Sequence, residues 1–178
     1  MSDSGPLKVR AKVVIVGAPS VGKTSLVRRF VHSIFSETYQ STMGVKVDRK
    51  TIETHGAEVT MLLWDMHGET EGLDVPDHYL RGAAGAIAVF DSMRLETANK
   101  AVELQHRVLE QSADVQPVLL ANKSDLEPNW DHVTAAAADL GAADLVRTSA
   151  LSGAGVEEAF HRLGTEIWQR AGGVIPPT

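Results

Sequence analysis

Gly17-Ala18-Pro19-Ser20-Val21-Gly22-Lys23-Thr24 decides the reading of this chain. The apolar run Val13-Val14-Ile15-Val16 leads into it, and Ser25-Leu26-Val27-Arg28-Arg29-Phe30 follows it. A strand that delivers a Gly-rich turn, then a helix opening at Lys23 or Thr24, is the arrangement a phosphate-binding loop requires. Backbone N–H groups in such a turn point inward, and the helix N-terminus adds partial positive charge. Gly17, Ala18, Pro19, Ser20, Val21, Gly22, Lys23, Thr24 and Ser25 are therefore the expected phosphate contacts. Lys23 spans the terminal phosphates in this reading, and the Thr24 hydroxyl ligates Mg²⁺. Composition alone produces this spacing in a chain of such length on the order of 1 time in 100. With a strand before it and a helix after it, chance is a poor explanation, and the stretch predicts binding of a nucleoside triphosphate.

Working outward, strands and helices alternate. Lys8–Val16 reads as a strand and Lys23–Ile34 as a helix. Val45–Thr54 and Glu58–Asp65 alternate like a hairpin turning at His55-Gly56-Ala57. Gly85–Asp91 is a continuous apolar strand, as expected when helices cover both faces of a sheet. Glu96–Gln111 has helical periodicity, Pro117–Ala121 is another buried strand, and Thr134–Leu140 is a short Ala-rich helix. Leu145–Arg147 is a brief strand and Val156–Arg170 a final amphipathic helix. The expected fold is α/β: a mostly parallel six-stranded sheet with one antiparallel edge strand and helices on both faces. Ligand sites then lie at the carboxyl ends of the strands. Residues 8–171 read as one domain, residues 1–7 as a disordered N-terminus, and residues 172–178 as a flexible tail.

Composition agrees with a single domain and narrows the partners. The 178 residues are 43% apolar and 22% charged, enough for one full core but hardly two. A net charge of −6 argues against nucleic acid as the main partner, since phosphate contacts need a basic face. No apolar run approaches the ~20 residues a membrane span needs, and the N-terminus lacks a secretory pattern. There is no cysteine, which removes disulfides, thiolate metal sites and thioether lipid anchors. A cytoplasmic, monomeric protein without a direct lipid anchor is the expectation. The 7 histidines are scattered and form no zinc motif. Arg28, Arg29 and His32 read as a small basic face, solvated or ion-paired. Trp130 and Trp168 read as packing residues.

Asn122-Lys123-Ser124-Asp125 follows the buried strand Pro117–Ala121 on the ligand side of the sheet. An Asp carboxylate held there accepts two hydrogen bonds from guanine, at N1–H and the exocyclic N2 amine. Adenine offers neither, so the carboxylate would be left unpaired, a difference worth several kcal/mol. Asn122 reaches the purine edge and its neighbouring loop, and the Lys123 stem lies along the base. Arg147-Thr148-Ser149-Ala150 follows the next strand, where the Ala150 N–H can donate to guanine O6. By itself the tetrapeptide also reads as a turn capping a helix. Beside the phosphate loop, the nucleotide reading prevails.

With these motifs in order, residues 8–170 resemble the Ras superfamily of small GTPases, within the P-loop NTPases, and most closely its Rab-like members. The resemblance rests on residues 17–24, Tyr39–Gly44 (YQSTMG), Trp64–Glu69 (WDMHGE), Tyr79–Asp91, Ala121–Asp125 and Thr148–Ala150. It implies roles for further residues. Thr42 lies 42 − 24 = 18 residues beyond Thr24, where the family has the switch I threonine that ligates Mg²⁺ and senses the γ-phosphate. Asp65 resembles the aspartate that holds Mg²⁺ through water. The Gly68 N–H would contact the γ-phosphate, Phe35 would pack the base edge-on, and Tyr39 would lid the phosphates. Ser149, Ala150 and Leu151 complete the base loop. Loss of the γ-phosphate would release Thr42 and Gly68, so that the bound nucleotide becomes a change in partner affinity. Exchange factors, GTPase-activating proteins and effectors that read the switches are the implied partners.

The departures from the family bear on catalysis. Lys23, Thr42, Gly68 and Glu69 are the expected catalytic set, yet Glu69 stands where the family usually has the glutamine that orients water. A carboxylate can accept from that water but cannot donate to the transition state, and it adds negative charge. His67 precedes the glycine, out of register with the catalytic His of translational GTPases. Pro19 stands where Ras has a glycine, beside the space an inserted arginine needs. Leu151 replaces the usual Lys, and Glu71-Gly72 replaces the Arg-Phe of Rab proteins. The lack of a lipid tail suits a prokaryotic member or a shortened eukaryotic one. Two readings remain: a switch that slowly hydrolyses GTP to GDP, and a nucleotide-binding scaffold with negligible hydrolysis. Lys23, Thr24, Thr42 and Asp65 favour the first, Glu69 and Pro19 the second.

Overall fold

Side chains that alternate in sequence divide between two cores, one on each face of a single sheet. The computed structural model describes residues 7–33, 45–66, 75–115, 117–142 and 144–173. Six strands run in the order β2-β3-β1-β4-β5-β6. β1 (Lys8–Gly17) lies between β3 (Ala57–Met66) and β4 (Gly85–Asp91), parallel to both. β5 (Pro117–Asn122) and β6 (Leu145–Arg147) continue the parallel set, and β2 (Val45–Thr54) is the antiparallel edge beside β3. This is the sheet the sequence predicts.

Period-2 alternation explains the two layers. Val13, Ile15, Met61, Leu63, Ile87 and Val89 face one side, with Leu26 and Phe30 of α1 (Lys23–His32) and Phe160 and Leu163 of α5 (Val156–Arg170). Val14, Val16, Ala86, Ala88, Phe90 and Leu119 face the other, with Ala101, Leu104 and Val108 of α3 (Glu96–Gln111). The residues of β4 are all buried, as a central strand between two helical layers requires. Phe30 and Phe160 stack with centroids 4.1 Å apart, locking α1 to α5 across the first core. α1 is the helix that opens after the phosphate loop, so this packing fixes the loop's exit.

Four local readings need correction. α1 ends at His32 rather than Ile34, because Ser33 turns left-handed (φ 56) and donates its N–H to Arg29 O at 2.9 Å. Ile34 lies outside the described residues. α4 spans Trp130–Asp139 and so opens before Thr134; the Asn129 side chain accepts the His132 N–H at 3.2 Å and caps its first turn. A short α2 (Asp77–Leu80) after Pro76 has no counterpart in the sequence reading. The hairpin pairs Thr54 with Ala57, so its turn is only His55-Gly56. Both have positive φ, 47 and 75, the requirement of a type I′ turn matched to strand twist.

Candidate functional site

Because β1, β4, β5 and β6 are parallel, Gly17, Asp91, Asn122 and Arg147 all finish at one edge of the sheet. The loop from Gly17 to Gly22 leaves β1 there and closes into α1, whose first bond runs from Leu26 N–H to Gly22 O at 2.9 Å. Lys23 is buried, and its ammonium donates to Gly17 O at 2.8 Å and Ala18 O at 2.7 Å. The loop's own carbonyls thus hold the positive charge at the loop. Ser25 lies one residue further along α1, in its first turn.

Thr24 Oγ1 donates to Asp65 Oδ2 at 2.5 Å. Asp65 is almost fully buried on β3, and β1 and β3 are neighbours, so two residues far apart in sequence meet beside the phosphate loop. A hydroxyl and a carboxylate are hard oxygen donors. Mg²⁺ favours such a set, taking one or two protein oxygens and filling its octahedron with water and phosphate. These residues fit that ion. Among the described residues no group of three or more His, Cys, Asp or Glu is gathered around a metal position.

The two sequence motifs are joined by Asn122. Its Nδ2 donates to Val21 O at 2.9 Å, while its Oδ1 accepts from Thr148 Oγ1 at 3.3 Å and the Ala150 N–H at 3.2 Å. The side chain therefore ties the phosphate loop to the loop after β6. Gly22 is required by this contact: it sits at φ 102, and a Cβ there would overlap Asn122 Nδ2. The Ala150 N–H, expected at guanine O6, is aimed at Asn122 Oδ1 in this structure. Asp125 is solvent-exposed in the short turn Ser124–Leu126, and its Oδ1 accepts from the Ser149 hydroxyl at 2.5 Å. Ser149 is itself buried and braced by the Ser152 N–H at 3.0 Å. Leu151, next to Ala150, is exposed at this edge.

Lys123 has partners that its motif does not announce. Its ammonium donates to Asp91 Oδ2 at 2.6 Å and to Ser20 O at 3.1 Å. Burial on its own pushes the Asp91 carboxyl up, but hydrogen bonds from Lys123, the Met93 N–H and Arg94 outweigh it and hold the group below the usual carboxylate range. Sequence reasoning missed Asp91, Arg94 and Arg29. Asp91 could have been found as a charge ending an otherwise apolar strand at the ligand edge. Arg29 is no solvated basic residue: its Nε donates to Ala150 O at 2.8 Å and its Nη2 to Leu151 O at 2.5 Å. It clamps the base loop to α1. Phe35, Tyr39, Thr42, His67, Gly68, Glu69, Glu71 and Gly72 lie outside the described residues.

Comparison with known proteins agrees with this geometry. Residues 12–169 match the Ras family. The Ras-related protein Rab-13 of Mesocricetus auratus is 32% identical over 166 residues, covering 91% of this chain and 82% of the relative. The Ras-related protein Rab-11A of Dictyostelium discoideum is 34% identical over 162 residues, covering 88% and 75%. No described helix is long and apolar enough to cross a membrane. The match spans the sheet, the phosphate loop and the loops at its ligand edge, and the chain belongs to the Ras family of small GTPases, with Rab-like relatives.

Proposed function

We propose that the protein is a guanine-nucleotide switch: it binds GTP and GDP with Mg²⁺, slowly hydrolyses GTP, and presents different surfaces to regulators and effectors in the two states. The observation that carries this reading is the Asn122 side chain, which ties the phosphate loop and the base loop into one rigid site. Phosphate and base are then gripped by parts that move together. Ser149 orients Asp125 from behind, leaving an exposed carboxylate at the site's edge to accept from guanine.

Lys23 balances the charge of the terminal phosphates, and Thr24 with Asp65 supplies the hard oxygens at the metal position. When bound, Mg²⁺ would neutralise charge developing between the last two phosphates. Thr42, Gly68 and Glu69 extend the proposal to the switches. Glu69 in place of glutamine makes unaided hydrolysis slow, because a carboxylate orients water without donating to the transition state. A net charge of −6 argues against nucleic acid as a partner, and we place the protein in the cytoplasm as a monomer.

Titration calorimetry with Mg²⁺ tests the reading. GDP should bind far more tightly than ADP, and comparable affinities would refute it. Single-turnover GTP hydrolysis then separates a slow switch from a scaffold. The scaffold reading, favoured by Pro19 and Glu69, requires no turnover above the rate of free GTP.

A further inference from the structure

Pro19 and Ser20 place two awkward residues at the tip of the phosphate loop. Proline has no N–H to offer a phosphate. Ser20 sits at φ 60, in the left-handed region that a residue with a Cβ rarely adopts. A tip of this composition has one donor fewer and a strained neighbour, so its remaining N–H groups must be aimed well.

Two cations hold this tip from behind. Arg94 Nη2 donates to Pro19 O at 3.2 Å, and Lys123 Nζ donates to Ser20 O at 3.1 Å. Both also converge on one carboxylate oxygen, Asp91 Oδ2, at 3.0 Å from Arg94 Nε and 2.6 Å from Lys123 Nζ. The carboxylate is fixed in turn. Its other oxygen accepts the Met93 N–H at 2.9 Å, and the Asp91 backbone N–H donates to Thr97 Oγ1 at 3.0 Å. The Asp91 side chain is only 3% exposed, so it has little water to reorient it.

The planar peptide turns this arrangement into function. The carbonyl of Pro19 and the N–H of Ser20 share one rigid plane and point in opposite directions. The carbonyl of Ser20 and the N–H of Val21 do the same. Pulling both carbonyls outward turns both N–H groups toward the inside of the loop. We infer that Arg94 is a positioning residue for the phosphate loop, coupled through Asp91 to Lys123, so that the pair aims the Ser20 and Val21 N–H groups at the nucleotide's phosphates. The inference rests on the nucleotide reading above.

Release of fluorescently labelled GDP from the full chain, chased with unlabelled GDP in Mg²⁺, tests it. Arg94→Ala should speed release by about 3- to 10-fold, the range for charge-assisted bonds from a partly exposed side chain. Arg94→Lys keeps the charge but cannot bridge Asp91 and Pro19 at once, and should recover only part of the loss. In an Asp91→Asn background, Arg94→Ala should add less than about twofold, because the guanidinium has already lost its anchor. The preference for GDP over ADP should stay at the wild-type value in Arg94→Ala, since the base end is untouched. Unchanged release in both Arg94 variants, or fully multiplicative effects with Asp91→Asn, overturns the inference alone. A wild-type chain that retains no GDP overturns the nucleotide reading and the inference with it.

Discussion

Replacing Asn122 by alanine should damage this protein more than any other single truncation at the ligand edge. The side chain is 2% exposed and makes three hydrogen bonds, to Val21 O, Thr148 Oγ1 and the Ala150 N–H. The Thr148 hydroxyl can rotate to another acceptor, but the two backbone groups cannot. Leaving each unpaired in a buried position costs about 1–3 kcal/mol, or roughly 2–6 kcal/mol together. The 3.2 Å bond to Ala150 argues for the lower half of that range. Against a total stability of about 5–15 kcal/mol this is a large fraction. Urea unfolding at saturating GDP and the GDP release rate should both register it, because the same bonds join the two halves of the site. Asn122→Asp keeps the shape but turns a carboxylate oxygen toward Val21 O, and should recover little. Alanine at 122 also vacates the space that a Cβ on Gly22 would fill, so Gly22→Ala should cost less in that background. A loss below about 0.5 kcal/mol with unchanged GDP release would refute the account of Asn122 as the link between the motifs.

Asp125→Asn exchanges an acceptor for a donor and should shift base preference from guanine toward xanthine, measured by competition between GDP and XDP; retention of guanine preference would remove Asp125 from base recognition. Glu69→Gln should raise single-turnover GTP hydrolysis about tenfold, equivalent to about 1.4 kcal/mol of barrier, by adding a donor and removing a charge. If wild type outpaces both Glu69→Gln and Glu69→Ala, Glu69 is a working group and not a handicap. The lowered Asp91 carboxyl ties stability to pH. Its contribution is fully present above the unfolded value of about 3.9 and fades as pH falls through the lower folded value. Denaturant midpoints between neutral and acidic pH should therefore fall less steeply in Asp91→Asn than in wild type, and parallel curves would show that the ion cluster contributes nothing to folding.

Local chemistry made most of the architecture readable. The buried run Gly85–Asp91, the alternation of residues 57–66 and the strand-loop-helix around Gly17–Thr24 each carry their own signal, and each element formed where that signal lay. α4 was read too short because its start depends on a cap at Asn129, while the eye follows the Ala-rich run beyond it. At the site, Lys23, Thr24, Asp65, Asn122, Asp125 and Ser149 gather at one sheet edge as their motifs imply. The partners that brace them were not legible. Arg29, Asp91 and Arg94 act through backbone carbonyls or through a shared carboxylate, and a carbonyl has no letter in a sequence. The partner of the Lys123 ammonium was equally hidden, because its motif offers no hint of Asp91, which ends a different strand.

Arg29 meets Ala150 across 121 residues of chain, and Asn122 meets Val21 across 101. Contacts between such distant segments form late in folding, because closing a long loop costs entropy before the contact repays it. During synthesis the phosphate loop emerges early, and on the proposed reading the site would close around a nucleotide only once β6 and the loop after it have been made. On the proposed nucleotide reading, GDP would stabilise only chains that already extend through the loop after β6. A nascent chain stalled before Ser149 should expose a phosphate loop that retains no nucleotide, while one extended through α5 should trap it.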